Sequence, residues 1–404
     1  MSRKIWCLTL STMLSNFALA MYLVTIGLLL FEVSKTVEGY AAYMVAEHLS
    51  MALIGVWVGQ SLDRWAAERV LAAGLLVYAL APVLLLSVPN GALAEYGILL
   101  PVLTGVLFSL GKGIYRPALF TIANRIVPDG QLHWLNGMQT TAMQVGQISG
   151  GASVALLVSV ADLDFALALS AGVWTCAAAL GSLATSRSTE TQGANAKPEK
   201  APAESWRSVL RHLAHAPGQL SLVLLAPVEY LTLAAMNLSL APMVAFSFGG
   251  EMAWAGWLST VFSVSALSAA ILSTGLKTSP WKQRLSGLVL QLIGWAGLSL
   301  AQDNAEVVAA FGCLGLGMGL GFTAAISLQQ LSSNPSMHGR VSVIRSTGVA
   351  LFLVIALPLL QPLIVEDISG FAAACAAVMG LAIFIARFSS GLTLRDPRTS
   401  SFTH

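Results

Sequence analysis

The stretch GVWVGQSLDRWAAERVL, residues 55–71, leaves an apolar run, places Asp63, Arg64, Glu68 and Arg69 within seven residues, and enters another apolar run. The chain around it is 56% hydrophobic and only 10% charged, with a mean hydropathy of +0.75. A soluble globular chain carries roughly 25% Asp, Glu, Lys and Arg. There is too little polar surface here to cover a soluble fold, so the stretch reads as the turn between two membrane spans.

A spanning helix needs about 20 mostly apolar residues. Such runs lie at 6–31, 40–60, 70–89, 96–124, 134–158, 163–184, 219–247, 252–275, 285–301, 305–331, 341–364 and 369–388, twelve in all. The loops between them alternate in charge. Arg3, Lys4, Arg64, Arg69, Arg125, Lys282, Arg284, Arg340 and Arg345 belong to a side that holds 18 of the 21 basic residues, while Lys35 stands alone on the other. The positive-inside rule puts the first side in the cytoplasm. The expectation is an all-α, multi-pass protein of a bacterial inner (cytoplasmic) membrane, with twelve transmembrane helices and both termini cytoplasmic. Arg3 and Lys4 precede a first run too long for a secretory signal. Cys7, Cys176, Cys313 and Cys375 lie in apolar runs without CxxC spacing, and read as small buried hydrophobes rather than metal ligands.

One long polar break, residues 185–218, divides the runs into six and six. The expected organisation is an N-terminal six-helix bundle at 1–184, a cytoplasmic linker at 185–218, a C-terminal six-helix bundle at 219–388 and a cytoplasmic tail at 389–404. Within the linker, SWRSVLRHLAHA has the pattern of a short interfacial helix. The halves echo each other: GVLFSLGKGIYRPALF at 105–120 aligns with GLGMGLGFTAAI at 315–326 when Gly111 is set on Gly319 and Gly113 on Gly321, a shift of 208. Two such repeats suit a transporter with a site between halves.

This pattern resembles the major facilitator superfamily across nearly the full chain. The opening stretch carries the sharpest match: Gly59, Leu62, Asp63, Arg64 and Arg69 follow that family's motif between its second and third helices. The resemblance implies a gate latch at Gly59, Asp63, Arg64 and Arg69, closing the cytoplasmic side. GLKTSPWKQR is a degenerate second copy that keeps Gly275, Lys282 and Arg284 but has no Asp. MQVGQISGGA, residues 143–152, resembles the fifth-helix motif of the family's proton-coupled exporters through Gly146, Gly150 and Gly151, with Gln147 where proline is usual. Read as packing alone, the same residues form a helix–helix stripe. The Gly339-Arg340 pair adds to a resemblance with small-molecule exporters of the drug or siderophore type.

Ionisable groups inside spans are expensive, which makes them candidates for function. Lys112 and Arg116 sit four apart on the fourth run, hence on one helix face. They can bind an anionic substrate or pair internally with Glu47 or Glu229. Those two glutamates are the candidate proton-coupling groups, and Glu229, Tyr115 and Asn237 join Lys112 and Arg116 as candidate substrate-binding residues. Gln139, Gln144, Gln329 and Gln330 fit a cavity lining and helix–helix hydrogen bonding equally. Trp6, Trp65, Trp134, Trp206 and Trp281 fall where an interfacial belt is expected.

The functional expectation is a secondary transporter that exports a small amphipathic or anionic molecule by proton antiport, a siderophore being one such cargo. The alternatives are a multidrug efflux transporter, a proton-coupled importer of a small organic nutrient, and a membrane scaffold or sensor without flux. No nucleophile triad, phosphate-binding loop or metal-ligand spacing is present in the sequence. Neither enzyme activity nor a cofactor, metal or nucleic-acid partner is expected. The expected partners are the solute, protons and the lipid bilayer, with the protein acting as a monomer.

Overall fold

The computed structural model describes residues 3–34, 38–62, 67–88, 95–96, 98–126, 132–185, 206–215, 217–275, 278–332 and 338–393. They form thirteen helices: α1 (Arg3–Ser34), α2 (Glu38–Leu62), α3 (Ala67–Leu86), α4 (Leu99–Ile126), α5 (Leu132–Val160), α6 (Leu163–Thr185), α7 (Trp206–His215), α8 (Pro217–Ser247), α9 (Ala253–Gly275), α10 (Pro280–Leu300), α11 (Asn304–Ser332), α12 (His338–Glu366) and α13 (Ile368–Thr393). Each apolar run of the sequence lies on one long helix, and α7 is the short helix of the polar break. Among the described residues, nine helices are long and apolar enough to cross a membrane. The other three long helices, α2, α4 and α10, carry Glu47, Lys112 and Arg284.

Two compact units divide the chain: Met1–Ala196 with Asn237–Thr260, and Lys197–Met236 with Val261–His404. In the first unit α1 packs on α5, α6 and α2, and α4 packs on α2 and α3. Small residues set the α1–α5 approach. A Cβ on Gly146 would meet Met13 O, and one on Gly150 would meet Phe17 O. The helices therefore touch backbone to backbone, as small residues at a helix interface allow. Gln147 lies between these glycines and donates to Asn16 Oδ1 at 3.4 Å, so the residue that replaces the usual proline helps to hold α1. Gly151 faces Ser259 and Thr260 of α9 instead. Two side-chain bonds tie α6 to α1: Ser11 Oγ donates to Ala177 O at 2.7 Å, and Trp174 Nε1 to Ser15 O at 3.1 Å. Trp174 stacks on Tyr78 at 5.1 Å, and Tyr22 on Phe108 at 5.4 Å, in a buried aromatic centre.

In the second unit α10 is the central contact, packing on α11 and α13. Ser279 caps it, accepting from the Lys282 amide, and Pro280 occupies the first turn, where a missing N–H costs nothing. This cap starts the helix five residues before the apolar run at 285. The buried face is Arg284, Gly287, Leu288, Gln291, Gly294, Trp295 and Leu298, a helical stripe with an arginine at its head. The expectation that Arg284 belongs with the loop cations is thereby corrected. Short α7 docks through Leu213, buried with Val223 of α8 and Val341 of α12, while Arg211 and His215 face outward.

The packing also corrects the internal alignment. Gly105 lies against Tyr43 and Glu47 of α2, and Gly315 against Phe262 of α9. Gly111 lies against Tyr78 of α3, and Gly321 against Gly287 and Gln291 of α10. Both pairs are related by 210 (315 − 105 and 321 − 111), not by the 208 of the sequence echo. Of the cysteines, Cys375 is buried as expected, but Cys176 is exposed.

Gly150→Ala is expected to destabilise the protein by about 1–3 kcal/mol, because the new methyl has no room against α1. Gly172→Ala meets nothing within 4 Å; it is expected to hold or raise stability, since alanine is about 1 kcal/mol better than glycine inside a helix. Thermal unfolding in detergent checks the pair, and identical shifts for both would overturn the close-contact account.

Candidate functional site

Each unit contains a carboxylate closed by cations from neighbouring helices. In the first unit Gly105 lets α4 come up against the turn of α2 that bears Glu47. Lys112 is seven residues further along α4 and returns to the same face. Its Nζ donates to Glu47 Oε1 at 2.7 Å. The Glu47 side chain is 7% exposed and that of Lys112 is 23% exposed, so the lysine is the open side of this pair. His48, the next residue, is tied to its own helix through Nδ1 and Met44 O at 2.7 Å. Arg116 is exposed. The two-cation stripe expected on α4 is thus split: Lys112 is engaged with Glu47, and Arg116 stands outside that pair.

In the second unit Glu229 of α8 is fully buried. Arg284 Nε of α10 donates to its Oε1 at 2.6 Å, with both side chains 1% exposed. From α12, Arg345 Nη2 lies 3.8 Å from Glu229 Oε2, and its side chain is 12% exposed. That distance is an ion pair but too long for a hydrogen bond. Each guanidinium also sits over a ring, Arg284 at 5.8 Å from the Trp281 centroid and Arg345 at 6.0 Å from that of Tyr230. Such contacts are worth about 0.5–2 kcal/mol. Tyr230 in turn meets Phe322 of α11 edge-on at 5.7 Å. A second polar link between α8 and α10, Trp295 Nε1 to Thr232 Oγ1 at 3.2 Å, holds the same helices further along.

Sequence reasoning singled out Glu229 and missed both of its arginines. The available signal was register: Arg284 stands three and four residues before Gly287 and Leu288, on the stripe that continues to Trp295. Tyr115 is buried and lies 6.1 Å from Tyr78, edge-on within the aromatic centre. Asn237 is partly buried on α8. Gln139 is buried and bonds Thr9 at 3.3 Å, a link between α5 and α1. Of the expected latch, Gly59 lies in the last turn of α2 and Arg69 is exposed near the start of α3; Asp63 and Arg64 lie outside the described residues. Among the described residues, no group of three or more His, Cys, Asp or Glu side chains is placed to hold a metal ion.

The ionic pairs differ in what they can tolerate. Arg284→Met leaves the buried Glu229 without its hydrogen-bonded partner, with Arg345 still 3.8 Å away, and is expected to cost about 3–5 kcal/mol, and pairing it with Glu229→Gln is expected to recover much of that loss. Lys112→Met is expected to cost less, because this pair is less completely buried. Unfolding midpoints of the purified variants check the order; a double variant as unstable as Arg284→Met alone overturns it.

The fold is shared with solved transporters. A bacterial homolog to the human lysosomal transporter Spinster, in an inward-facing and unoccupied conformation, superposes with a TM-score of 0.73 at 12% identity, over 98% of this chain and 99% of that one. The nucleoside transporter NupG superposes with a TM-score of 0.68 at 14% identity, over 96% and 99%. No protein-family model matches the chain, and no curated protein sequence matches it.

Proposed function

We propose that the chain is a secondary active transporter of the major facilitator type that moves a small organic solute across a membrane, coupled to protons. Its twelve long helices would act as two six-helix repeats, as transporters built from internal repeats do. The observation that carries this reading is a carboxylate inside an apolar helix, Glu47, closed at 2.7 Å by a lysine of the neighbouring helix, in a fold that two solved transporters share over nearly their whole length. An ion pair between helices is a two-state joint. Protonating Glu47 discharges it, releases Lys112 and frees α2 from α4. Glu47 takes the coupling role ahead of Glu229, because Lys112 is partly exposed while Glu229 is sealed on Oε1 by a fully buried arginine.

The favoured direction is export by proton antiport, supported by the resemblance of Gly146, Gly150 and Gly151 to the fifth helix of exporters. A neutral or cationic amphipathic solute suits antiport, since it competes with the proton for the space or charge of Glu47. An anionic solute, such as a carboxylate siderophore, couples oppositely at this pair: the proton that frees Lys112 favours its binding. The two guanidiniums that converge on Glu229 favour such an anion, and with it the second reading, a proton-coupled importer of a small organic acid. The gate latch at Gly59, Asp63, Arg64 and Arg69 belongs to either direction.

Flux into inside-out vesicles under an imposed pH gradient separates these readings. Uptake driven by an acidic interior indicates antiport, and uptake driven by an acidic exterior indicates co-transport. Glu47→Gln is expected to abolish the dependence on the gradient while leaving downhill exchange measurable. Gradient-driven flux that survives in Glu47→Gln removes Glu47 from coupling.

A further inference from the structure

An arginine side chain has five N–H donors in a rigid fork. Arg284 uses Nε on Glu229 Oε1, yet its Nη1 and Nη2 find no acceptor among the described residues, although the side chain is only 1% exposed. Glu229 Oε2 likewise accepts no hydrogen bond among the described residues. A guanidinium cannot shed its charge by losing a proton, and donors left open away from water are costly. Four N–H donors therefore lack an acceptor among the described residues, two of them parallel at the tip of the fork, beside a second guanidinium from another helix.

We propose that Arg284 and Arg345 form a binding site for an oxyanion, the carboxylate or phosphate group of a small solute, which seats on Nη1 and Nη2 of Arg284. The match is geometric: two oxygens of a carboxylate or phosphate accept in parallel from a guanidinium fork. Glu229 orients that fork by holding Nε, which leaves the tip of the guanidinium, with one N–H from each Nη, for the oxyanion. Arg345 marks the way in, because it is the most exposed member of the cluster, at 12%. Its 3.8 Å contact with Glu229 Oε2 can open without breaking a hydrogen bond, and the face of Tyr230 steadies its guanidinium as it does so. Lys112 cannot take this role in the same state, because Glu47 already occupies it. The assignment rests on the transporter reading for its physiological sense, so binding and flux are measured separately.

Trp281 supplies a reporter, with Arg284 Cζ 5.8 Å from its ring centroid. The purified full-length protein in detergent is titrated with acetate, succinate and inorganic phosphate, with chloride at matched ionic strength as control. Both tryptophan fluorescence and thermal stabilisation are read. The expected result is a saturable response to the oxyanions and none to chloride. Trp281→Phe is expected to lose the fluorescence response and keep the thermal one. Glu229→Gln with Arg284→Gln removes the fork together with the carboxylate that holds it, and is expected to weaken binding at least tenfold. Arg284→Lys keeps the charge and the pairing but not the fork; it is expected to lose oxyanion binding with a melting temperature near wild type. A short-chain phosphatidate arm separates the sources: response to free anions without competition by the lipid assigns a soluble solute, and response to the lipid alone overturns that assignment. Oxyanions that act no differently from chloride, or undiminished binding in both Arg284 variants, overturn the site. Specific binding that is lost in the Arg284 variants upholds it even where flux measurements fail to detect transport of these anions.

Discussion

The Glu229–Arg284 pair sets the terms for the second unit. Bringing a carboxylate and a guanidinium out of water costs several kcal/mol per ion, and only close geometry offsets it. The 2.6 Å contact provides that geometry, and it requires α8 and α10 to lie together at one register. The Ser279 cap meets part of the requirement by starting α10 early enough to place Arg284 inside. The Trp295–Thr232 bond meets the rest by fixing the same two helices further along. Glycines one turn further along then let α11 close: Gly287 faces Gly317 and Gly321 so tightly that no side chain fits between α10 and α11.

The first unit solves its packing differently. Its α1 carries hydroxyls and an amide, Ser11, Asn16 and the Ser15 carbonyl, that bond to α6 and α5. These links are neutral, whereas α8 of the second unit is tied to α10 and α12 by charge. The ionic pair of this unit lies between α2 and α4, and its lysine is partly exposed. One carboxylate thus sits in a partly exposed pair, and the other is bonded to a fully buried arginine.

Much of this architecture was legible in the sequence. Twelve apolar runs became twelve long helices, because length and hydropathy are properties of the run itself. The polar break and its short helix were legible for the same reason. What escaped was whatever depended on the register between helices. Arg284 looked like a loop cation, since it lies just outside the apolar run, and only the cap at Ser279 shows that the helix has already begun. The repeat was visible, but similar glycines at neighbouring positions allowed an alignment two residues off; packing partners, not residue identities, fix the shift at 210. The α4 stripe was read correctly as one face, yet a face says nothing about which of its members meets a partner. Lys112 does, and Arg116 stands exposed.

The seal on Glu229 has a mechanical meaning. Its Oε1 is bonded to a fully buried guanidinium of α10, and a guanidinium of α12 stands 3.8 Å from its Oε2. One carboxylate of α8 is thereby a rivet through three helices, and a displacement of any one of them is resisted by the other two.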